Sequence, residues 1–151
     1  MTFDFDSAVS AAIVSSIVSF LVSLAMKVWQ DKTNKLASLD AQLDSILKIA
    51  VQYPYLESED FTKKWKENVN NADEQYRRYE TYATLVFNYL SRVCEFFHYK
   101  KKKINAYVDM DGWVELHHVY WYNPSKEGEN EAVYDEKFKN LVHSILGGIP
   151  Q

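Results

Sequence analysis

The sequence predicts an all-α protein in which one N-terminal transmembrane helix continues into a cytoplasmic helical bundle. Three observations support this class. A long N-terminal segment is apolar and uncharged, and apolar side chains then recur at helical spacing through the rest of the chain. The 151 residues include only 4 Gly and 3 Pro beside 15% aromatic residues, which argues against disorder and against a turn-rich β-protein. The length allows one domain of about 100–120 residues beside the anchor.

The apolar segment runs from Ser7 to Met26, twenty residues without a charge, Pro or Gly. A helix of that length spans about 30 Å, the thickness of a hydrocarbon core. The alternative is a buried helix of a soluble bundle, which the six serines of the segment would suit. A cleaved signal peptide fits less well, because Asp4 and Asp6 precede the segment where basic residues would be expected.

The flanking charges predict the orientation. Lys27, Lys32 and Lys35 follow the segment, so the positive-inside rule places the N-terminus outside and the remainder in the cytoplasm. We therefore expect a single-pass protein of the inner membrane, with Trp29 at the interface. Its predicted parts are a short extracytoplasmic N-terminus (1–6), a transmembrane helix (7–29) and a cytoplasmic helical domain (30–151). Within that domain, 30–53 is expected to form a coiled-coil-like connecting helix.

Small side chains share one face of the membrane helix, within about 140° of its circumference. They are Ala8, Ala11, Ala12, Ser15, Ser16, Ser19 and Ser23. Bulky apolar residues occupy the opposite face, which suits lipid. A small, hydroxyl-bearing face permits close approach of helices, so its partner is either another copy of the chain, as in the homo-oligomer that we expect, or another protein. In a ring of many copies the stripe could line an aqueous opening. The alternative is that serine is merely tolerated in an anchor.

The remaining helices are predicted from the spacing of apolar residues along the chain. A seam of apolar residues at alternating intervals of three and four continues the first helix until Pro54: Leu36, Leu39, Leu43, Ile46 and Ala50. A second helix starts after Ser58, carries Phe61, Trp65 and Val69, and ends at 70–71.

A third predicted helix runs from Asp73 to Lys102 and has a broad apolar face that indicates burial on more than one side. A fourth opens at Asp111-Gly112 and is closed by Asn123-Pro124, with Trp113, Leu116 and Tyr120 inward. After an acidic loop, the last helix carries Tyr134, Phe138, Leu141, Val142 and Ile145 and ends at Gly147-Gly148.

Motifs for catalysis, metals and cofactors are scarce. The chain has no Gly-rich phosphate loop and a single cysteine, Cys94, so we expect no metal, no cofactor and no small-molecule substrate. His117 and His118 are adjacent and point about 100° apart on a helix, so they are interpreted as surface or core histidines. The net charge of −4 gives no overall reason to expect nucleic-acid binding.

Arg92 and His98 form the sharpest chemical pattern, an Arg-x5-His arrangement on the third helix. It matches the loose motif of HEPN-domain ribonucleases, in which the His would serve acid/base chemistry and the Arg would stabilise phosphate charge. The lysines that follow, Lys100, Lys101, Lys102 and Lys103, would then attract RNA. On an unbroken helix the two side chains point about 120° apart. The alternative is a solvated Arg, a helix-end His and a solvated lysine run.

The whole arrangement resembles the small membrane accessory proteins of type VI-B CRISPR systems. The resemblance is carried by the membrane helix, the leucine seam, YPYLESEDF, the tyrosine-rich YETYATLVFNYL and the spacing of aromatic residues from Trp113 to Phe138. It implies ring-shaped pores that strengthen antiviral defence, and a degenerate HEPN-like motif at Arg92 and His98 without catalysis.

Three functions follow as expectations. The first is a non-enzymatic, membrane-anchored oligomer of prokaryotic antiviral defence that perturbs or permeabilises the inner membrane. The second is a membrane-tethered HEPN-like ribonuclease. The third is a scaffold for a cytoplasmic partner. The expected partners are membrane lipid, further copies of the chain, and a cytoplasmic protein or ribonucleoprotein.

Overall fold

The computed structural model describes residues 5–68, 73–122 and 133–147, with side chains from Ala12 onward. Every regular element in these ranges is helical, and none is a strand, so the predicted all-α class is confirmed. The predictions at 69–71, at 123–131 and at Gly148 fall outside the described residues. The chain divides into two compact units, Met1–Ser38 and Leu39–Gln151.

The first unit consists of the beginning of helix α1, which runs without a break over Phe5–Gln52. No Pro or Gly interrupts this stretch, so nothing in the sequence ends the hydrogen-bond ladder before Pro54. Described side chains from Ala12 to Lys35 are all exposed. Within the described part of the chain, α1 is the one helix long and apolar enough to cross a membrane.

The second unit begins with the last part of α1, residues 39–52, which form nearly four helical turns. Here Leu39 and Ile46 are buried, and Leu43, Ile49 and Ala50 are partly buried against the same core. The predicted seam therefore packs on the chain's own helical domain from Leu39 onward. Apolar residues at alternating intervals of three and four occur in coiled coils, but also in any helix that buries one stripe against neighbouring helices.

A tight 3₁₀ turn over Pro54–Glu57 follows α1, and helix α2 spans Glu59–Asn68. The turn buries Leu56 completely, and α2 buries Trp65. The predicted start of α2 is confirmed: it begins directly after Ser58, whose carbonyl accepts a hydrogen bond from the Thr62 amide at 2.9 Å.

Helix α3 spans Glu74–Phe96 and is the centre of the bundle. Its predicted broad apolar face is confirmed, because nine of its side chains are buried: Tyr79, Tyr82, Ala83, Val86, Phe87, Tyr89, Leu90, Val93 and Cys94. The prediction that this helix reaches Lys102 is wrong. It ends at Phe96 because His98 and Tyr99 adopt left-handed backbone angles, with φ of 53° and 57°. The Tyr99 amide then donates to the Cys94 carbonyl at 2.8 Å and closes the helix end.

Four further helices complete the described fold: α4 (Lys101–Asn105), α5 (Met110–Leu116), α6 (His118–Tyr122) and α7 (Glu136–Leu146). The helix predicted to open at Asp111 instead begins at Met110, because Asp109 caps it by accepting from the Gly112 amide at 3.1 Å. It is also two helices, divided at His117.

The inward faces of these helices differ in part from the prediction. Tyr120 is buried as expected, but Trp113 and Leu116 are only half-buried, and Met110, Val114 and Trp121 take the core positions. In α7, Phe138 and Val142 are buried with Leu146, while Leu141 and Ile145 are half-buried. The break at His117 changes the helical register between α5 and α6, so the buried positions of α6 do not continue the buried stripe of α5.

Candidate functional site

The apolar surface of α1 is the most prominent exposed feature of the first unit. Large hydrophobic side chains from Ile13 to Trp29 keep between 44% and 70% of their surface exposed. A contiguous apolar surface on this scale is unusual on a water-soluble monomer and marks contact with lipid or with another protein. The helical backbone satisfies its own hydrogen bonds, which is the condition for crossing a bilayer.

The small-residue face of this helix was predicted as the contact between copies. The backbone is helical throughout, so Ala12, Ser15, Ser19 and Ser23 do share a face, and Ala8 and Ala11 lie on described backbone only. Two of the hydroxyls are engaged within the helix. Ser16 Oγ donates to the Ala12 carbonyl at 2.9 Å, and Ser23 Oγ donates to the Ser19 carbonyl at 2.8 Å.

These internal bonds satisfy the hydroxyl protons of Ser16 and Ser23 without a partner helix. The small size of the side chains on this face lets two backbones approach closely. The assignment of the stripe to an oligomer contact stays a prediction.

Arg92 and His98, the predicted catalytic pair of the ribonuclease hypothesis, lie on different local structures. Arg92 is on α3, where its Nη1 atom donates to Gln42 Oε1 on α1 at 2.7 Å. His98 lies beyond the helix end in a left-handed conformation and is exposed. No hydrogen bond joins the two side chains in the described part of the chain, so the structure gives no geometric support for their acting together.

The lysine run is separated from α3 by the same break. Lys100 caps α4, and Lys101, Lys102 and Lys103 form its first turn, all four exposed. Lys101 Nζ pairs with Asp111 Oδ2 at 3.2 Å. The sequence had suggested that the run ends a long helix. The run instead forms a compact surface cluster at the start of α4.

A buried polar cluster in the second unit was missed by the sequence reasoning. His117 has no exposed surface, and its Nδ1 atom lies 3.0 Å from the Tyr79 hydroxyl. Its Nε2 atom lies 3.7 Å from Glu57 Oε1, and the Tyr82 hydroxyl donates to the same carboxylate oxygen. The cluster connects the 3₁₀ turn, α3 and the α5–α6 junction.

The electrostatics of this cluster favour an ionised Glu57. Burial acts to raise the pKa of this carboxyl group, but the neighbouring His117 and the hydrogen bond from Tyr82 outweigh it, so the pKa lies below the usual 4.5. Burial raises the pKa of the Tyr79 and Tyr82 hydroxyls, and the Glu57 charge raises them further, so both tyrosines stay protonated donors. His117 is fully enclosed, whereas the Glu57 side chain is 29% exposed, so the cluster extends from the core to the surface at the 3₁₀ turn.

The signal that could have revealed the cluster was a histidine inside an otherwise apolar helical pattern. A buried histidine requires hydrogen-bond partners, and a lone buried carboxylate requires donors. Glu57 and His117 are distant in sequence, however, so spacing alone could not pair them. Of the two adjacent histidines, His117 is buried, and His118 Nδ1 lies 2.7 Å from the Glu115 carbonyl.

A second group of side chains holds the same turn. The Arg78 guanidinium lies 4.1 Å from the centroid of the Tyr53 ring, and its Nη1 atom donates to the Tyr55 hydroxyl at 3.0 Å. Tyr55 packs on Phe61 at a centroid distance of 4.8 Å. The sequence YPYLE therefore fixes the end of α1 to α3 through one cation–π contact and one charge-assisted hydrogen bond.

A shallow recess of about 500 Å³ lies beside the turn after α3, lined by Glu95, Tyr99, Asp135, Glu136 and Lys137. The Tyr99 hydroxyl donates to Asp135 Oδ2 at 2.5 Å, which lowers the pKa of that carboxyl group. In the described ranges no three His, Cys, Asp or Glu side chains are grouped so as to hold a metal ion.

Comparisons with protein-family models, curated proteins and solved structures found no match for this chain. The features of the chain that bear on its function are an exposed apolar helix, a basic cluster, and a helical domain whose polar contacts secure the end of α1.

Proposed function

We propose that this chain is a membrane-anchored, non-enzymatic protein that self-associates through α1 and perturbs the inner membrane in prokaryotic antiviral defence. The observation that carries the anchoring is the apolar surface of α1, which is long enough to span a bilayer and is not covered by described parts of its own unit. The antiviral part of this proposal is supported by the resemblance of the sequence to the CRISPR membrane accessory proteins. The second unit would then receive a cytoplasmic signal from a protein or ribonucleoprotein.

Topology is the first test. The three lysines after the apolar segment predict a cytoplasmic C-terminus. Paired C-terminal fusions, one active only in the periplasm and one only in the cytoplasm, report the orientation. The expected result is activity of the cytoplasmic reporter alone, with the chain resistant to carbonate extraction. Release of full-length chain by carbonate would overturn the anchor.

Self-association is tested on Ser19, at the centre of the small face. Ser19→Leu adds bulk where close packing leaves no room, yet raises apolarity, so insertion should survive. Ser19→Ala removes the hydroxyl without adding bulk and should be tolerated if packing is the cause. Phe20→Leu, one residue away on the bulky face, is the matched control.

The expected result is a smaller assembly in detergent for Ser19→Leu alone, measured by light scattering coupled to chromatography. Dye entry into cells challenged with phage should be lost in the same variant. Equal behaviour of Ser19→Leu and Phe20→Leu would leave α1 as an anchor only, and the scaffold function would replace the present proposal.

The ribonuclease alternative makes a separate prediction. Purified protein should cleave single-stranded RNA, and Arg92→Ala and His98→Ala should abolish cleavage while leaving unfolding unchanged. We expect no cleavage that depends on these residues, since Arg92 is bound to Gln42 and His98 lies beyond the helix.

A further inference from the structure

The lysine cluster of α4, defined here as Lys100, Lys102 and Lys103, has a fixed and outward-facing position. The short helix has a single buried side chain, Ile104, which packs in the core. Anchoring through Ile104 leaves the three lysines exposed. Their backbone is held by the Lys103 amide, which donates to the Lys100 carbonyl at 2.8 Å.

The three lysines of this cluster have no ion pair within the described residues. Lys101, which is not part of the cluster, pairs with Asp111, and Asp111 also accepts from Asn105 at 3.0 Å. Asp40 and Asp109 accept hydrogen bonds from neutral donors and not from a lysine: Asp40 accepts from the Tyr107 hydroxyl at 2.6 Å, and Asp109 caps α5. Crowding like charges within one helical turn lowers stability, so folding gives no reason for this cluster.

The position of the cluster in its unit suggests what it binds. Tyr107, which follows α4, donates to Asp40, next to Leu39, the first residue of the second unit. The ring of Tyr107 also packs on Phe97 at a centroid distance of 5.3 Å. The cluster therefore belongs to the end of the bundle at which α1 enters it. Residues 27–38 separate Leu39 from Met26, the last residue of the apolar segment, so the chain length keeps Leu39 within at most about 47 Å of that segment.

We propose that Lys100, Lys102 and Lys103 bind the phosphate groups of anionic lipids on the membrane surface. This inference rests on the proposed function, because it requires α1 to hold the cluster near a bilayer. Lysine ammonium groups near an anionic leaflet strengthen binding by about fivefold each. The cluster has no arginine to grip a phosphate in bidentate fashion. Lys137 Nζ lies over one face of the ring of Tyr99, the adjacent aromatic residue, at 5.8 Å from its centroid, so stacking of RNA bases on that face is not favoured.

The test uses the full chain reconstituted in vesicles, with an environment-sensitive fluorophore at Ala106→Cys. Ala106 is exposed beside α4, and the native Cys94 is buried, so labelling is selective. One set of vesicles contains phosphatidylcholine alone, and the other an equal mixture with phosphatidylglycerol. Carbonate extraction of each sample reports insertion independently of the fluorophore.

The expected result is a blue-shifted emission in the anionic vesicles alone, reversed by high salt. In the variant Lys100→Gln/Lys102→Gln/Lys103→Gln, the docking equilibrium should fall by about a hundredfold, the product of three fivefold losses. The control Lys63→Gln/Lys64→Gln/Lys66→Gln removes the same charge from exposed positions on α2 and should keep the shift.

Each other outcome overturns the proposal. An inserted chain with the same emission in both vesicle types, or equal losses in both triple variants, rejects the lysine cluster as the lipid contact. A shift caused by single-stranded RNA in phosphatidylcholine vesicles, and absent in anionic vesicles, would make RNA the ligand instead. A chain that carbonate extracts from both vesicle types overturns the anchor and, with it, this inference.

Discussion

The Oε1 atom of Glu57 lies 3.7 Å from the Nε2 atom of His117, and this contact joins the turn after α1 to the junction of α5 and α6. Tyr82 donates to the same carboxylate, and Tyr79 contacts the other nitrogen of the His117 ring. The end of α1 is therefore connected to the bundle by a polar cluster inside an aromatic core, in addition to apolar packing.

Replacing this carboxylate should lower stability in a pH-dependent manner. Glu57→Gln is expected to reduce the free energy of unfolding by about 1.5–3 kcal/mol at neutral pH, the range for hydrogen bonds to charged groups. The pKa of Glu57 is lowered by folding, so its contribution is fully present above the unfolded pKa near 4.5 and is lost as the pH falls through the folded pKa. The difference between wild type and variant should shrink accordingly in acid.

The measurement is urea unfolding of the detergent-solubilised chain at a series of pH values, followed by circular dichroism. Glu67→Gln, at an exposed position of α2, is the control and should be nearly silent. If the difference in free energy of unfolding between wild type and Glu57→Gln did not depend on pH, the effect of the substitution would be on packing and not on charge.

The seam of α1 provides a second prediction, on packing. Ile46 is buried against the bundle, whereas its neighbour Leu47 remains 46% exposed. Ile46→Ala should lower the free energy of unfolding by about 2–5 kcal/mol, since it leaves a cavity, and Leu47→Ala should have little effect. Thermal unfolding at two protein concentrations distinguishes this from a coiled coil between chains. If the cost of Ile46→Ala were concentration-dependent, the seam would contact another copy.

The turn after α3 provides a third prediction. His98 has a φ of 53°, a conformation that costs an ordinary side chain about 1 kcal/mol and costs glycine little. His98→Gly should therefore keep or raise the melting temperature, although the more flexible unfolded chain offsets part of the gain. Glu95→Gly, within the helical part of α3, is the comparison and should destabilise by about 1 kcal/mol. A clear loss of stability in His98→Gly would mean that the imidazole makes a contact worth more than the strain.

Cys94 provides a fourth prediction, on reactivity. Its side chain is fully buried, and burial raises the pKa of the thiol to about 12. Because the thiolate is the reactive species, a maleimide reagent should modify native protein very slowly and denatured protein rapidly. Mass spectrometry after timed exposure measures both rates. Rapid modification of the folded chain would indicate that the C-terminal half of α3 opens readily.

Much of the fold could be predicted because the spacing of apolar residues indicates which face of each helix is buried. The α3 stripe, the seam of α1 and the apolar positions of α7 are all visible as spacings of three and four, since a helix exposes a given face at that interval. The start of α2 is visible as a capping residue, Ser58. The apolar segment of α1 is visible for a simpler reason, the length of an uncharged stretch. The positions of Arg92 and His98 could be proposed as a pair, but not their separation by a helix end.

The end of α3 shows where this reasoning fails. Nothing between Phe96 and Lys102 is a glycine or proline, so the sequence favours a continuous helix. The chain instead turns at His98 and Tyr99, where Phe97 packs on Tyr107 and the Tyr99 hydroxyl binds Asp135. These partners lie outside α3, ten and 36 residues further along the chain, and the contacts outweigh a local cost of the order of 1 kcal/mol per residue.

The sequence by itself determined the helical class, the apolar segment and most of the buried faces, because each depends on neighbours within one or two helical turns. Only the tertiary structure decided the breaks at His98 and His117, the pairing of Glu57 with His117 and Tyr82, and the side of the bundle that carries the lysines. Those features depend on contacts between different helices, as in the Tyr82–Glu57 hydrogen bond between residues 25 positions apart, and how the helices pack fixes them where no local pattern does.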